Sequence, residues 1–568
     1  MALELTEQSN LSDLFRQRVQ ATPQAPAYRQ FQNGAWCDWR WGEMAREVGR
    51  WQAALAAEGL KPGDRVGLCM HNRVEWVLFD QAALGLGLVT VPLYFDDRPD
   101  NMAFCLNDAG ARVLLLESGA QWDALKDQVK TIERAVILGE AATADARARL
   151  LKDWLPPQAR EPERSPADAN ALASIVYTSG TTGRPKGVML SHRNILSNVI
   201  AAMHAISVRA DDRFLSFLPL SHMFERTCGY YAAMWAGSQT VYARSITQLA
   251  EDMTIQQPTI LVAVPRIFER IWGRMQETMP RGSPKRTLFD KAVEVGWRQF
   301  QGQATFGDKL LWPILKLLVA KKLHGRLGGR IQLIVVGGAA FAAEHARIFL
   351  GLGLPILQGY GLTETAPVLA CNRIGDNDPL SVGRPLEGVA LRCDDNGELL
   401  ARGPCVMLGY WNNPQATAAA IDAQGWFHTG DIAKIRDGRV YITGRVKDII
   451  VLSNGEKVPP GDAEQAIMLD ATFEHAMVIG EGRPKLGLVC AAKSTDLREL
   501  CARANAQLRE FPGYARIAHI TVVPGPWSVD NGLLTPTLKT KRKEIEKRFA
   551  KEIEAMYATT EFCSPSKS

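Results

Sequence analysis

Short apolar runs bounded by Gly, Pro or Asp recur through the first two-thirds of the chain, at 65–70, 89–94, 113–117, 135–139, 175–178, 214–219, 260–265 and 331–338. Many span four to seven residues, and they are rich in β-branched side chains. Such runs predict strands buried on both faces of largely parallel sheets, and the amphipathic stretches between them predict helices. The polar, Pro-containing stretch 160–168 reads as an internal linker. After about Ser381 the texture changes. Runs at 397–403 and 434–445, the second folded at Asp437-Gly438, predict an antiparallel hairpin. Beyond Arg445 a smaller unit follows, with strands near 476–480, 486–491 and 517–523 and a charged helix from Lys541. The expected class is therefore α/β, with a large N-terminal multi-sheet domain at 1–443, a boundary at 444–447 and a small C-terminal α/β domain at 448–568.

One segment departs from this alternation. Residues 309–323 (KLLWPILKLLVAKKL) are apolar and edged with lysine. They read either as a helix packed on the large domain or as a segment lying on a membrane surface. Pro313 is expected near a helix start, where proline is tolerated.

Composition narrows the class without naming a function. At 568 residues the chain exceeds a single core, so more than one domain is expected. A net charge of +5 is small for this length and gives little reason to expect nucleic acid. The ten cysteines form no CxxC pair, so neither a zinc site nor a disulfide framework is indicated, and reduced thiols in the cytoplasm fit best. Residues 1–10 are polar and unlike a secretory signal. No apolar run reaches about 18 residues, so no membrane-spanning helix is expected.

The densest chemical signal is 177–187, YTSGTTGRPKG, directly after an apolar strand. Thr178, Ser179, Gly180, Thr181, Thr182 and Gly183 pack hydroxyls and glycines that expose backbone N–H groups to an anion, and Lys186 adds a point charge. A generic loop of this composition is more often plain surface. The spacing also excludes a Walker A loop, because Pro185 stands where its second glycine belongs, and no GxGxxG occurs here.

The run 177–192 (YTSGTTGRPKGVMLSH) resembles the phosphate loop of the adenylate-forming superfamily, which includes acyl-CoA synthetases, luciferases and peptide-synthetase adenylation domains. The family's other motifs follow in order. Gly337-Gly338-Ala339-Ala340 resembles the segment along the adenine, and Tyr360-Gly361-Leu362-Thr363-Glu364 the YGxTE motif. Thr429-Gly430-Asp431 resembles the ribose-binding TGD, Gly444-Arg445-Val446-Lys447-Asp448 the hinge, and Thr537-Leu538-Lys539-Thr540-Lys541-Arg542 the terminal catalytic-lysine motif. The resemblance runs from about Leu11 to Lys551.

This resemblance implies ATP-dependent activation of a carboxylic acid to acyl-AMP, then transfer to coenzyme A, with a mobile C-terminal lid. Glu364, with the hydroxyl of Thr178, would hold Mg²⁺. Thr363 would donate to the α-phosphate, Tyr360 would lie against adenine, and Asp431 and Arg445 would reach the ribose. Lys447 would be the hinge. Lys539, on the lid, would bridge the carboxylate and the α-phosphate; the rest of its basic run reads as a solvated face. Thr537-Leu538 replaces the family's usual Ser-Gly and resembles the long-chain branch. Leu218–Arg226 (LPLSHMFER) and the insertion 279–330 resemble that branch too, placing His222 at the acyl pocket, whereas His192 reads as structural. The implied substrates are a fatty acid, ATP and CoA. The implied location is cytoplasmic, with peripheral contact at the inner face of a membrane through 309–323 and a homodimer both left open. Alternatives are an acyl-AMP ligase that loads a carrier protein, a nucleotide-binding regulator without catalysis and, weakest, a nucleic-acid binder.

Overall fold

The computed structural model describes residues 3–558 apart from 4, 7, 140–143, 159, 179–183, 281, 455, 510, 529 and 536–538. Among the described residues two large sheets form the body. In the eight-stranded sheet Val89–Pro92, Arg65–Cys69, Ala111–Leu116 and Arg134–Ile137 lie side by side and parallel, with almost every side chain buried. The nine-stranded sheet places Leu333–Val336 between Ile260–Ala263 and Ile356–Gly361, again parallel. These are the continuous apolar runs of the sequence, buried on both faces because helices cover both sides.

The nine-stranded sheet also holds strands that the apolar runs do not announce. Pro26–Gln32 and Ala35–Arg40 form an antiparallel edge hairpin, joined to the sheet through Gln239–Tyr242. The outer strand is mostly exposed, as suits an edge.

Three smaller sheets follow among the described residues, one of them only the pair Ile450–Val451 and Lys457–Val458. Phe427–Arg436 and Arg439–Arg445 pair antiparallel, and Asp437 and Gly438 both take positive φ, 50° and 74°, as the tight turn requires. Past Arg445, Phe473–Ile479, Leu486–Ala492 and Ile517–Val522 form a three-stranded sheet whose side chains alternate between two cores. Val478, Leu488 and Cys490 face the helices Pro460–Ile467 and Leu497–Gln507. Met477, Val489 and Ala491 face Arg542–Arg548 and Ala550–Ala558. The period of two thus builds a sandwich with helices on both sides.

Segment 309–323 lies in a helical run of three parts, Phe306–Leu315, Lys316–Ala320 with wide π geometry, and Lys321–Arg326. The run starts at a capping box of Thr305 and Asp308, so Pro313 sits inside the helix rather than near its start. Leu315, Ala320 and Leu323 turn inward onto the nine-stranded sheet, in one core with Leu261 and Ile334, and Trp312 packs over Gly296 of the helix Pro284–Phe300. Among the described residues eight cysteines are free thiols.

Candidate functional site

The site forms where the ends of strands from several sheets meet. Thr178 closes the strand Leu172–Thr178 and Lys186 opens Lys186–Ser191. The two are register partners at the mouth of a hairpin, while Ser179, Gly180, Thr181, Thr182 and Gly183 lie outside the described residues. The short strand Gly409–Tyr410 adds to the hairpin's free edge, opposite Val188 and Met189. It carries Tyr410, whose ring lies 5.0 Å under the Lys186 ammonium. The Tyr410 hydroxyl donates to Glu364 Oε1 at 2.9 Å.

Glu364 is presented by a tight turn. The strand Ile356–Gly361 ends against the backbone of Pro367, close enough that a Cβ on Gly361 would meet the Pro367 oxygen at 1.8 Å. Thr363–Thr365 then form one 3-10 turn, tied by the Thr365 hydroxyl, which accepts from Leu362 N–H at 3.0 Å and donates to Pro367 O at 2.6 Å. Backbone bonding of Met407 N–H to Glu364 O fixes the turn against the strand-edge loop at 2.8 Å. Thr363 lies in the same turn as Glu364.

A second cluster joins the YGxTE and TGD segments. The Tyr360 hydroxyl donates to Asp431 Oδ2 at 2.6 Å, and Arg445 Nε sits 3.1 Å from Oδ1. Asp431 and Arg445 are cross-strand register partners, which puts both side chains on one face. Burial raises the Asp431 carboxyl above its ordinary range, opposed by Arg445, Tyr360 and Lys539. Lys447 follows two residues on, exposed in a turn.

Lys539 reaches this cluster from the C-terminal unit. A narrow loop holds it: Thr535 N–H donates to Lys539 O at 2.8 Å and Lys539 N–H to the Thr535 hydroxyl at 3.0 Å. Pro536, Thr537 and Leu538 of that loop lie outside the described residues. The side chain stays open to water along the cleft, yet protein surrounds the ammonium. Burial, then the Arg445 charge, push its pKa down to about 8, while Asp431 and Glu364 pull the other way. The Lys539 charge also acts on His222.

His222 caps a helical turn, its Nδ1 accepting from Phe224 N–H at 3.1 Å. That bond leaves the ring proton on Nε2. Burial and the Lys539 charge push its pKa down to about 4, so the imidazole is neutral at physiological pH. Phe224 in turn packs on the segment 337–340, where a Cβ on Gly337 would lie 3.0 Å from its ring. Gly338 takes φ +80°, and Ala339 and Ala340 are exposed beyond it. Gln465 of the C-terminal unit donates to Ala340 O at 3.4 Å.

The structure therefore brings together Lys539, Glu364, Asp431, Arg445, Tyr360 and His222 from distant parts of the chain. His192 is buried away from this cluster and accepts from Leu11 N–H at 3.3 Å, a structural position. The sequence reading missed Tyr410, for which the aromatic pair Tyr410-Trp411 after Gly409 is the only signal. It also missed the buried network behind His222. There Arg226 Nη2 meets Asp80 at 2.5 Å and Thr90 at 2.9 Å, and Nη1 meets Ser174 at 2.8 Å. Next to it Glu225 is buried, and burial pushes its carboxyl up to about 8, so it is largely neutral at pH 7.

The architecture and this cleft define an adenylate-forming fold. The family model of the AMP-binding enzyme matches residues 15–411, and that of the AMP-binding enzyme C-terminal domain matches 447–561. The chain belongs to the AMP-binding enzyme family. It is 31% identical to a long-chain-fatty-acid–CoA ligase of Mycobacterium bovis over 97% of either chain. It is 27% identical to a long-chain-fatty-acid–[acyl-carrier-protein] ligase of Arabidopsis thaliana, across 91% of this chain and 82% of that one. An anthranilate CoA ligase bound to anthranoyl-AMP superposes with a TM-score of 0.77 at 20% identity, covering 97% of this chain and 99% of that one.

Proposed function

We propose that the protein is a long-chain fatty acid–CoA ligase that forms acyl-AMP from ATP and then the CoA thioester. The observation that carries this reading is the meeting of Lys539 with Glu364, Asp431 and Arg445 in one cleft beside His222. Two anions, a carboxylate and a triphosphate, must approach each other there, and a cation between them lowers their repulsion as the new P–O bond forms. With a pKa of about 8, Lys539 is mostly protonated at pH 7 and can serve as that cation. Asp431 keeps lone pairs for the ribose hydroxyls while Tyr360 and Arg445 hold its orientation. Thr363, beside Glu364, is assigned to the α-phosphate. His222, neutral with an Nε2 proton, can donate to the acid's carboxylate.

The residues fit Mg²⁺. Glu364 gives one oxygen to Tyr410 and keeps the other for a hard cation, and Thr178 ends its strand at the same hairpin. Mg²⁺ on nucleotides takes few protein ligands, and among the described residues no larger acidic cluster competes. When bound, the ion supplies charge neutralisation of the phosphates.

The lid is assigned to 448–568, turning about 444–447 at Lys447, so that Lys539 serves adenylation and withdraws for thioester formation. LPLSHMFER and the long-chain relatives support acids of roughly C12 to C18, since each buried methylene contributes about 0.8 kcal/mol. No helix among the described residues is long and apolar enough to cross a membrane. We place the enzyme in the cytoplasm, touching a membrane peripherally. Pyrophosphate release across acids from acetate to long chains, with CoA present, tests the reading; a higher kcat/KM for acetate or an aryl acid overturns it. The carrier-protein ligase among the relatives keeps a second acceptor in view. Comparing turnover with CoA and with a phosphopantetheinylated carrier decides between them.

A further inference from the structure

The helical run 306–326 has two apolar sides, and only one is used by the fold. Leu315, Ala320 and Leu323 are in the core. On the other side Phe306 is 79% exposed, Leu310 63%, Ile314 55%, Leu317 58% and Leu318 46%. Residues three and four apart lie on one helix face, so these side chains form a stripe about 18 Å long. The wide π turn at Lys316–Ala320 lets the consecutive Leu317 and Leu318 both point outward. Isolated exposed leucines are ordinary, but an ordered stripe of five marks a contact surface.

Charge selects the partner. Between 302 and 330 the chain carries Lys309, Lys316, Lys321, Lys322, Arg326 and Arg330 against a single acid, Asp308. That acid is held by Arg298 at 2.6 Å. The acids of the neighbouring helix are engaged as well, Asp290 with Arg286 and Glu294 with Arg298. A second copy on this face would bring like charges together, whereas anionic headgroups would meet the lysines while the leucines enter the acyl region. We propose that the stripe Phe306–Leu318 is a docking surface for an anionic lipid bilayer, with the helix lying in the membrane plane. This deepens the location given above, and it rests on the fatty-acid reading only for its biological setting.

The test is co-sedimentation of the full chain with vesicles of phosphatidylcholine mixed with phosphatidylglycerol, and with phosphatidylcholine alone. The expected result is binding to the mixed vesicles that weakens with added salt and is much poorer on the neutral ones. A variant combining Leu310→Glu, Ile314→Glu and Leu317→Glu should lose about tenfold or more in binding. Its unfolding temperature and its pyrophosphate release with a water-soluble acid should stay at the wild-type level. A second variant, Lys316→Glu with Lys321→Glu and Lys322→Glu, keeps the apolar stripe and should lose the preference for anionic vesicles. Failure of the wild type to bind, or binding by both variants at the wild-type level, overturns the proposal. So does a change from dimer to monomer in the leucine variant without vesicles, which assigns the stripe to a second copy. Docking that survives in a protein unable to adenylate any acid leaves the surface standing and removes the ligase reading instead.

Discussion

Two charged clusters lie within reach of one short motif, and they are built on opposite terms. Behind His222, Arg226 and Asp80 are wholly buried, and the guanidinium lies over the rings of Trp76 and Tyr231. Asp80 also accepts from Tyr231 at 2.8 Å and Tyr230 at 3.2 Å. Burial works against the Arg226 charge, but Asp80 and the tyrosines outweigh it and hold its pKa above the ordinary value. In front of His222, Lys539 makes no ion pair among the described residues, and burial, then the charge of Arg445, lowers its pKa. A charge supplied with partners is architecture, because it has nothing left to offer a ligand. A charge held among groups that only partly compensate it is poised to gain from an anion.

The contrast can be broken by substitution. Arg226→Ala leaves Asp80 buried and unpaired and should cost about 3–5 kcal/mol of stability in urea unfolding. Pairing Arg226→Met with Asp80→Leu should restore most of that, since removing both charges strands neither. Lys539→Ala should do the reverse: unfolding unchanged, but acyl-AMP formation down by about 10²-fold, on the order of 3 kcal/mol. Thioester formation from preformed acyl-AMP should stay near wild type. Equal losses in both half-reactions would refute the alternating lid. The lysine's titration sharpens the point. Adenylation should be intact well below pH 8 and decline as pH rises through about 8, where Lys539 loses its proton. In Lys539→Arg that decline should vanish, whatever the residual rate. Glu364→Gln should lower adenylation by about tenfold or more and shift its Mg²⁺ dependence to higher concentration. The smallest effect is expected from Tyr410→Phe, which removes one hydrogen bond to Glu364 and should cost about 1 kcal/mol, roughly fivefold, in kcat/KM. No change there would mean that Glu364 is positioned by its backbone turn alone.

Much of this was legible because local pattern and final environment coincide. The run at Leu333–Val336 is apolar throughout and is buried throughout. The edge hairpin Pro26–Arg40 escaped notice because its exposed outer strand carries polar residues and its partner, Gln239–Tyr242, is some two hundred residues away. Pro313 was misplaced for a local reason, since the cap that starts its helix, Thr305, lies before the apolar run begins. In the site, Lys539 could be assigned through family resemblance but not through spacing, as it meets Glu364 only in three dimensions. Tyr410 lacks even that help: its contact with Glu364 spans 46 residues and leaves no periodic trace. Glu225 reads as a helix acid beside an arginine, and nothing in its neighbours announces that Arg226 belongs to Asp80 instead.

The pairing of Asp431 with Arg445 has a mechanical side. It is the last rung of its ladder, and the chain leaves the sheet immediately after it. Any swing about Lys447 therefore pivots beyond this rung. In the proposed swing Asp431 and Arg445 would stay on the frame, while Lys539 would travel with the C-terminal unit. The proposed motion would be that of a door whose strike plate is fixed and whose bolt is carried away on opening. On that proposal a nucleotide product would remain seated through the motion even as the group that helped make it departs.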